Sequence, residues 1–128
     1  MTRWVNEPMK LITAIIRPEK LEELIETLVD HRVHGLTVSE VRGFGRQFGE
    51  PAPGAEIDLG LPRAMKAALL PKARLDLVVR DEDADALVGL LARHAGTGTI
   101  GDGKIWVSTV DSVLRVRTGE RDRAAVWP

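Results

Sequence analysis

The sequence predicts an α+β domain made of two strand–helix–strand units in tandem, and three observations carry that prediction. Two short runs rich in β-branched and other apolar residues, "KLITAIIR" (10–17) and "ARLDLVVR" (73–80), each stand directly before a stretch whose apolar residues recur at three- and four-residue steps. Each of those stretches is followed by a further strand-like run, "LTVSEVRGF" (36–44) and "KIWVSTV" (104–110). A length of 128 residues suits one domain able to bury its own core.

The elements follow in order. Met9 and Lys10 open the first run, so residues 1–8 are read as an N-terminal extension and 9–128 as one domain. Pro18 fits the first turn of a helix, where its missing N–H wastes no hydrogen bond. Leu21, Leu24, Ile25, Leu28 and Val29 then form one stripe, with Glu22, Glu23, Glu26 and Asp30 on the opposite side. Gly35 reads as the stop signal before the second strand. In 73–80, Leu75, Leu77 and Val79 alternate with Arg74, Asp76 and Val78, which gives the strand one buried face. Asp81 and Asp83 are expected to cap and charge the next helix, whose stripe is Ala84, Leu87, Val88, Leu91 and Ala92. Strand 104–110 and a last strand, "SVLRVR" (112–117), complete a ferredoxin-like arrangement.

One stretch breaks this economy. From Gly45 to Leu70 the chain is rich in glycine and proline and has no strand pattern of useful length; within it, "LPRAMKAALLP" (61–71) reads as a short helix ended by Pro71. A functional loop and a flexible insertion both fit that composition.

Composition excludes several classes. Lys and Arg total 18 against 19 Asp and Glu, so no global field draws the protein onto nucleic acid or anionic lipid. The absence of cysteine removes disulfides and thiolate metal sites, and His31, His34 and His94 lack zinc-site spacing. The longest apolar runs fall far short of a membrane span, and the N-terminus has no apolar targeting core, so a cytoplasmic protein is expected.

Chemistry concentrates in three segments. In "TGTIGDGK" (97–104) the glycines precede a strand, which is not the strand–loop–helix context of a Walker loop or dinucleotide fold. Side-chain-free Gly98, Gly101 and Gly103 let backbone N–H groups approach an anion, with Lys104 adding a point charge; a tight helix-to-strand connection is the alternative. Arg115 and Arg117, two apart in the expected last strand, would share one face and suit a polyphosphate, or would simply be a solvated basic edge. Neither has a carboxylate at i+2. "RGFGRQFGE" (42–50) adds Gly43, Gly45, Arg46 and Gln47 after a strand. No general base and no Ser–His or Cys–His pair is evident, so the expectation is a binding protein and not an enzyme.

These residues carry a resemblance. "TGTIGDGKIWV" (97–107) resembles the C-terminal signature of the PII signal-transduction family, and "RVRTGERDRAAV" (115–126) resembles its closing segment. "GLTVSEVRGFGRQFG" (35–49) and "KLITAIIRPEKLEEL" (10–24) look like its second strand and its opening strand and helix. The resemblance implies a homotrimer of ferredoxin-like subunits that binds ATP or ADP in clefts between neighbours. It places a T-loop at about 45–70, a B-loop at about 96–104 and a C-terminal segment at 115–128. The nucleotide positions it implies are Gly43, Gly45, Arg46 and Gln47 at the T-loop base, and Val78. Around the phosphates it places Thr97, Gly98, Gly101, Asp102, Gly103 and Lys104, with Arg115 and Arg117 reaching across from the adjacent subunit. For 2-oxoglutarate the matching positions are Gln47 and Lys72, and for magnesium Gln47 together with the ATP phosphates.

The resemblance implies nitrogen regulation through a target protein contacted by the T-loop, with recruitment to a membrane transporter as one form of it. Sensing adenine nucleotides with another small anion, such as bicarbonate, is the alternative. The T-loop departs from the family pattern. The chain has no Tyr, and no Ser or Thr lies between Gly45 and Leu70, so modification of such hydroxyls there is excluded. Phe48, Leu59, Leu61, Met65, Leu69 and Leu70 make the loop apolar, as a partner surface or as packing on the subunit.

Overall fold

The β-branched run that begins at Met9 forms β1 (Met9–Ile16), and the alternating run before Asp81 forms β3 (Leu70–Arg80). With β2 (Thr37–Gly43) and β4 (Lys104–Val110) they make one sheet in the computed structural model, which describes residues 9–44 and 69–126. The order is β2-β3-β1-β4 and all neighbours are antiparallel. This is the ferredoxin-like topology: the strands of the first unit, β1 and β2, are separated by β3 of the second.

A 3-10 turn at Pro18–Lys20 leads into α1 (Leu21–Asp30), and β3 runs straight into α2 (Asp81–Ala95). Both helices bury their apolar stripes against one sheet face. Leu24 and Leu28 from α1 and Leu91 from α2 meet Ile12, Ile16, Leu75 and Leu77 in a single core. Each such side chain contributes roughly 1.5–3 kcal/mol by leaving water. The stripes are rotated slightly from expectation. Val29 is 59% exposed and Ala92 is exposed, whereas Leu90 and Ala95 are buried. The opposite sheet face carries the half-buried Leu11, Ile15 and Val78, with Trp106 44% exposed. On this face the Thr13 hydroxyl donates to Asp76 Oδ1 at 2.8 Å and Arg74 Nε donates to Asp76 Oδ2 at 2.9 Å.

The end of α1 is made by Arg32, not Gly35. Arg32 has φ 64°, its N–H donates to the Val29 carbonyl at 3.0 Å, and the Val33 N–H donates to the Leu28 carbonyl at 2.9 Å. That pair of bonds is a Schellman motif with arginine where glycine is usual. A left-handed non-glycine residue costs about 1–2 kcal/mol, partly offset by glycine's larger unfolded-state entropy. Arg32→Gly is therefore expected to raise stability by about 0.5–1 kcal/mol, read as a higher urea midpoint at unchanged slope.

Three other expectations are corrected. Asp81 and Asp83 do not cap α2, because Arg80 is the extended cap residue and the acids fall in the first turn; Asp83 Oδ2 instead accepts Arg80 Nε at 2.7 Å. Leu70 and Pro71 belong to β3, not to a loop or helix, and Leu70 is buried. Pro71 pairs with Arg42 of β2 beyond the end of the β1 ladder, so its missing N–H falls where β3 has one neighbour only.

Residues 112–117 are not a strand. The chain turns back through Gly119 (φ 73°), the Arg115 N–H donates to the Glu120 carbonyl, and Leu114 bridges Arg121. Buried Asp122 accepts the Val113 N–H at 3.1 Å and donates its own N–H to the Val113 carbonyl, closing the turn before the short helix α3 (Arg123–Val126). Expectations for residues 1–8, 45–68 and 127–128 lie outside the described residues.

Candidate functional site

The α2–β4 connection, 96–103, is organised by its own carboxylate. Asp102 Oδ2 accepts the N–H groups of Thr97 at 2.7 Å and Gly98 at 2.9 Å. Asp102 Oδ1 accepts Arg17 Nε at 3.0 Å and the Thr97 hydroxyl. These donors, the Thr97 hydroxyl foremost, hold the Asp102 carboxyl well below the usual carboxylate range.

An ionised carboxylate only accepts, which fixes the direction of the remaining bonds. With its own proton given to Asp102, the Thr97 oxygen accepts from the Thr99 hydroxyl at 2.6 Å, and the Thr99 oxygen accepts from Arg17 Nη2 at 3.0 Å. Arg17 Nη2 also donates to the Ile100 carbonyl at 2.7 Å. Both arms of the ring thus start on the Arg17 guanidinium and end on the Asp102 carboxylate. Arg17 extends from the end of β1 and was not singled out from sequence; only the β1–β4 register, which sets Ile15 beside Lys104, brings it to the loop.

Three glycines make the path possible: Gly98, Gly101 and Gly103 have φ of 81°, 104° and 95°. At Gly103 the constraint is also contact, since a Cβ there would lie 1.7 Å from the Ile15 carbonyl oxygen. Lys72 Nζ donates to the Gly101 carbonyl at 2.7 Å. Burial, and then the nearby Arg17 charge, push the Lys72 ammonium below the ordinary lysine range, against the opposing pull of Glu19 and Asp102. Gly43 lies beside Lys72, whose Cγ would sit 3.2 Å from a Cβ at Gly43. Gly43, Lys72 and Thr97 through Lys104 therefore gather at one end of β3.

Val78, Arg115 and Arg117 gather at the other end. They line a cavity of about 1330 Å³ together with Thr37, Asp76 and Arg80. Lys72 and Val78 lie on one face of β3, and six residues of strand separate them by roughly 20 Å. Arg115 is already engaged: Nη1 donates to Glu120 Oε1 at 2.9 Å and Nη2 to the Ala125 carbonyl at 3.2 Å. The carboxylate partner absent at i+2 is supplied at i+5 by the turn. Arg117 is exposed. Gly45, Arg46 and Gln47 lie outside the described residues.

His31 Nδ1 donates to the Thr27 carbonyl at 2.8 Å, and His94 Nδ1 donates to Glu23 Oε1 at 3.0 Å, joining α2 to α1. Among the described residues, no three His, Asp or Glu side chains form a metal-binding group, and no helix is long and apolar enough to cross a membrane.

The profile of the family described as "Nitrogen regulatory protein P-II" matches residues 9–120. The chain belongs to the P-II family. It is 50% identical over 120 residues to nitrogen regulatory protein P-II 2 of Methanothermobacter thermautotrophicus, covering 92% of this chain and 97% of the relative. It is 44% identical over 118 residues to nitrogen regulatory protein GlnK of Escherichia coli, covering 92% of this chain and 100% of the relative. Among solved structures it is similar to Arabidopsis thaliana PII bound to citrate, with a TM-score of 0.73, 30% identity and 96% coverage of both chains. As a P-II protein it has a signal-transduction role and is a regulator, not an enzyme. The resemblance read from residues 97–107 and 115–126 is thereby borne out at the level of the family and its fold.

Proposed function

We propose that this P-II protein senses ATP and ADP, together with 2-oxoglutarate, in clefts between neighbouring copies of the chain, and signals through the shape of its T-loop. The observation that carries the reading is the division of the residues assigned to the nucleotide. The glycine loop with Lys104 stands with Lys72 at one end of β3, and Val78, which lines one cavity with Arg115 and Arg117, stands roughly 20 Å along the strand from Lys72. A molecule the size of a nucleotide meets both sets where one end of one copy abuts the opposite end of the next. Repeated head to tail, that contact closes into a ring, in keeping with a homotrimer. The half-buried apolar sheet face with Trp106 44% exposed supplies surface for such a contact.

Within the loop, Asp102 takes the amides of Thr97 and Gly98, so those of Gly101 and Gly103, with Lys104, are the donors assigned to phosphate. Asp102, Thr97 and Gly98 serve by shaping the loop. Gln47 is the protein ligand assigned to the magnesium that accompanies ATP, and Gln47 with Lys72 are assigned to 2-oxoglutarate. ATP, ADP and 2-oxoglutarate regulate only through different affinities for different T-loop conformations. With no Tyr in the chain and no Ser or Thr from 45 to 70, ligand-driven loop shape, not modification of such hydroxyls, directs the target protein.

Calorimetric titration with Mg-ATP and with ADP, each with and without 2-oxoglutarate, tests the reading. The expected result is competitive binding of the two nucleotides, with 2-oxoglutarate binding only when Mg-ATP is present. Nucleotide binding without a 2-oxoglutarate effect, followed by a response to bicarbonate, moves the function to another anion. Failure to bind either nucleotide overturns the reading.

A further inference from the structure

We propose that Arg17 is a positioning residue that sets the glycine loop in its binding shape before any ligand arrives. Three contacts from one guanidinium reach three separate residues of the loop: Asp102 Oδ1 at 3.0 Å, Thr99 Oγ1 at 3.0 Å and the Ile100 carbonyl at 2.7 Å. The planar fork of arginine is suited to that task, because its donors diverge in fixed directions. Arg17 directly follows the paired core strand β1 and precedes the Pro18–Lys20 turn, and its side chain is only 16% exposed. The loop is thus referred to the sheet through a short, partly shielded arm.

The directionality of the ring strengthens the assignment. The relay Arg17–Thr99–Thr97–Asp102 and the direct Arg17–Asp102 bond both carry their protons from the guanidinium toward the carboxylate, so one donor and one acceptor fix the direction of every bond between them. Removing Arg17 leaves Thr99 without its charged donor and Asp102 without its counter-ion, while the Thr97 and Gly98 amides still hold Asp102. The loop then loses its tie to β1 without losing its internal turn. Arg17 does not itself contact phosphate in this arrangement; its charge is committed to Asp102, and it acts through the backbone donors of the loop. A loop ordered in advance binds without the entropy of ordering being subtracted from the affinity.

The experiment uses the full chain and three variants: Arg17→Met, which keeps the apolar stem; Arg17→Lys, which keeps the charge but not the fork; and Lys20→Met as a charge control. Amide hydrogen exchange over 97–103 is measured without ligand, alongside thermal unfolding and calorimetric titration with Mg-ATP. Arg17→Met is expected to raise loop exchange and weaken Mg-ATP binding, each about ten-fold, with β1 and β4 protection unchanged. Arg17→Lys is expected to fall between it and the wild type, and Lys20→Met to match the wild type. Unchanged loop exchange in Arg17→Met overturns the proposal. So does a uniform loss of protection through β1 and β4, which marks a merely structural role. The affinity arm rests on the nucleotide reading above. If the wild type binds no nucleotide, that reading fails, and loop exchange alone decides the role of Arg17.

Discussion

Gly103→Ala is expected to destabilise the protein by about 3–5 kcal/mol, well beyond the effect of a methyl group added at Gly98. The added Cβ would stand 1.7 Å from the Ile15 carbonyl oxygen and 2.8 Å from its carbon, at a backbone φ of 95°. Neither atom can retreat. Ile15 is paired with Arg74 on one side and Lys104 on the other, so relief requires opening the ladder or expelling the loop. Gly98→Ala is the matched control: its φ is 81°, but nothing lies within 4 Å of the added atom. Only the left-handed strain remains there, about 1–2 kcal/mol. Urea unfolding of the two variants should therefore separate by about 1–4 kcal/mol. Equal losses would mean that the loop stands off β1 in solution.

The second large effect concerns ligand binding. Lys104→Ala and Arg117→Ala are each expected to weaken Mg-ATP binding by about 30–100-fold, the loss of one charge-assisted contact to phosphate, or about 2–3 kcal/mol. Neither should alter the fold, because both residues are exposed. Arg115→Ala is a poorer probe. Arg115 ties its own turn together through Glu120 and the Ala125 carbonyl, so its removal mixes lost binding with a rearranged segment. Binding unchanged in Arg117→Ala would place the phosphates away from the C-terminal segment.

Much of this was legible in the sequence, for reasons that differ by element. β1, α1 and β3 are set by periodicity, which is local, and their positions follow within a few residues. The glycine loop was legible because a left-handed backbone leaves a compositional mark. The run 112–117 was misread because alternation of apolar and basic residues records only which side faces out. Whether such a segment finds a ladder partner is decided by the Gly119 turn and by Asp122, several residues downstream. The C-terminal stop of α1 was assigned to Gly35 on residue preference, whereas hydrogen bonds hold Arg32 in the left-handed region. Arg17 left no local mark at all. It lies 85 residues from Asp102 in the chain, and only the pairing of β1 with β4 makes them neighbours.

The central claim is that one site is built from two chains, and subunit mixing tests it most directly. Lys104→Ala and Arg117→Ala chains, each defective alone, are co-expressed in equal amounts and titrated with Mg-ATP. A cleft that takes its glycine loop from the Arg117→Ala chain and its arginine from the Lys104→Ala chain has no lesion. Random assembly places about a quarter of the clefts in that state, so about a quarter should recover wild-type affinity while the rest stay weak. No recovery at any mixing ratio, with exchange of subunits verified, would contradict the account and return both residues to a site within one chain.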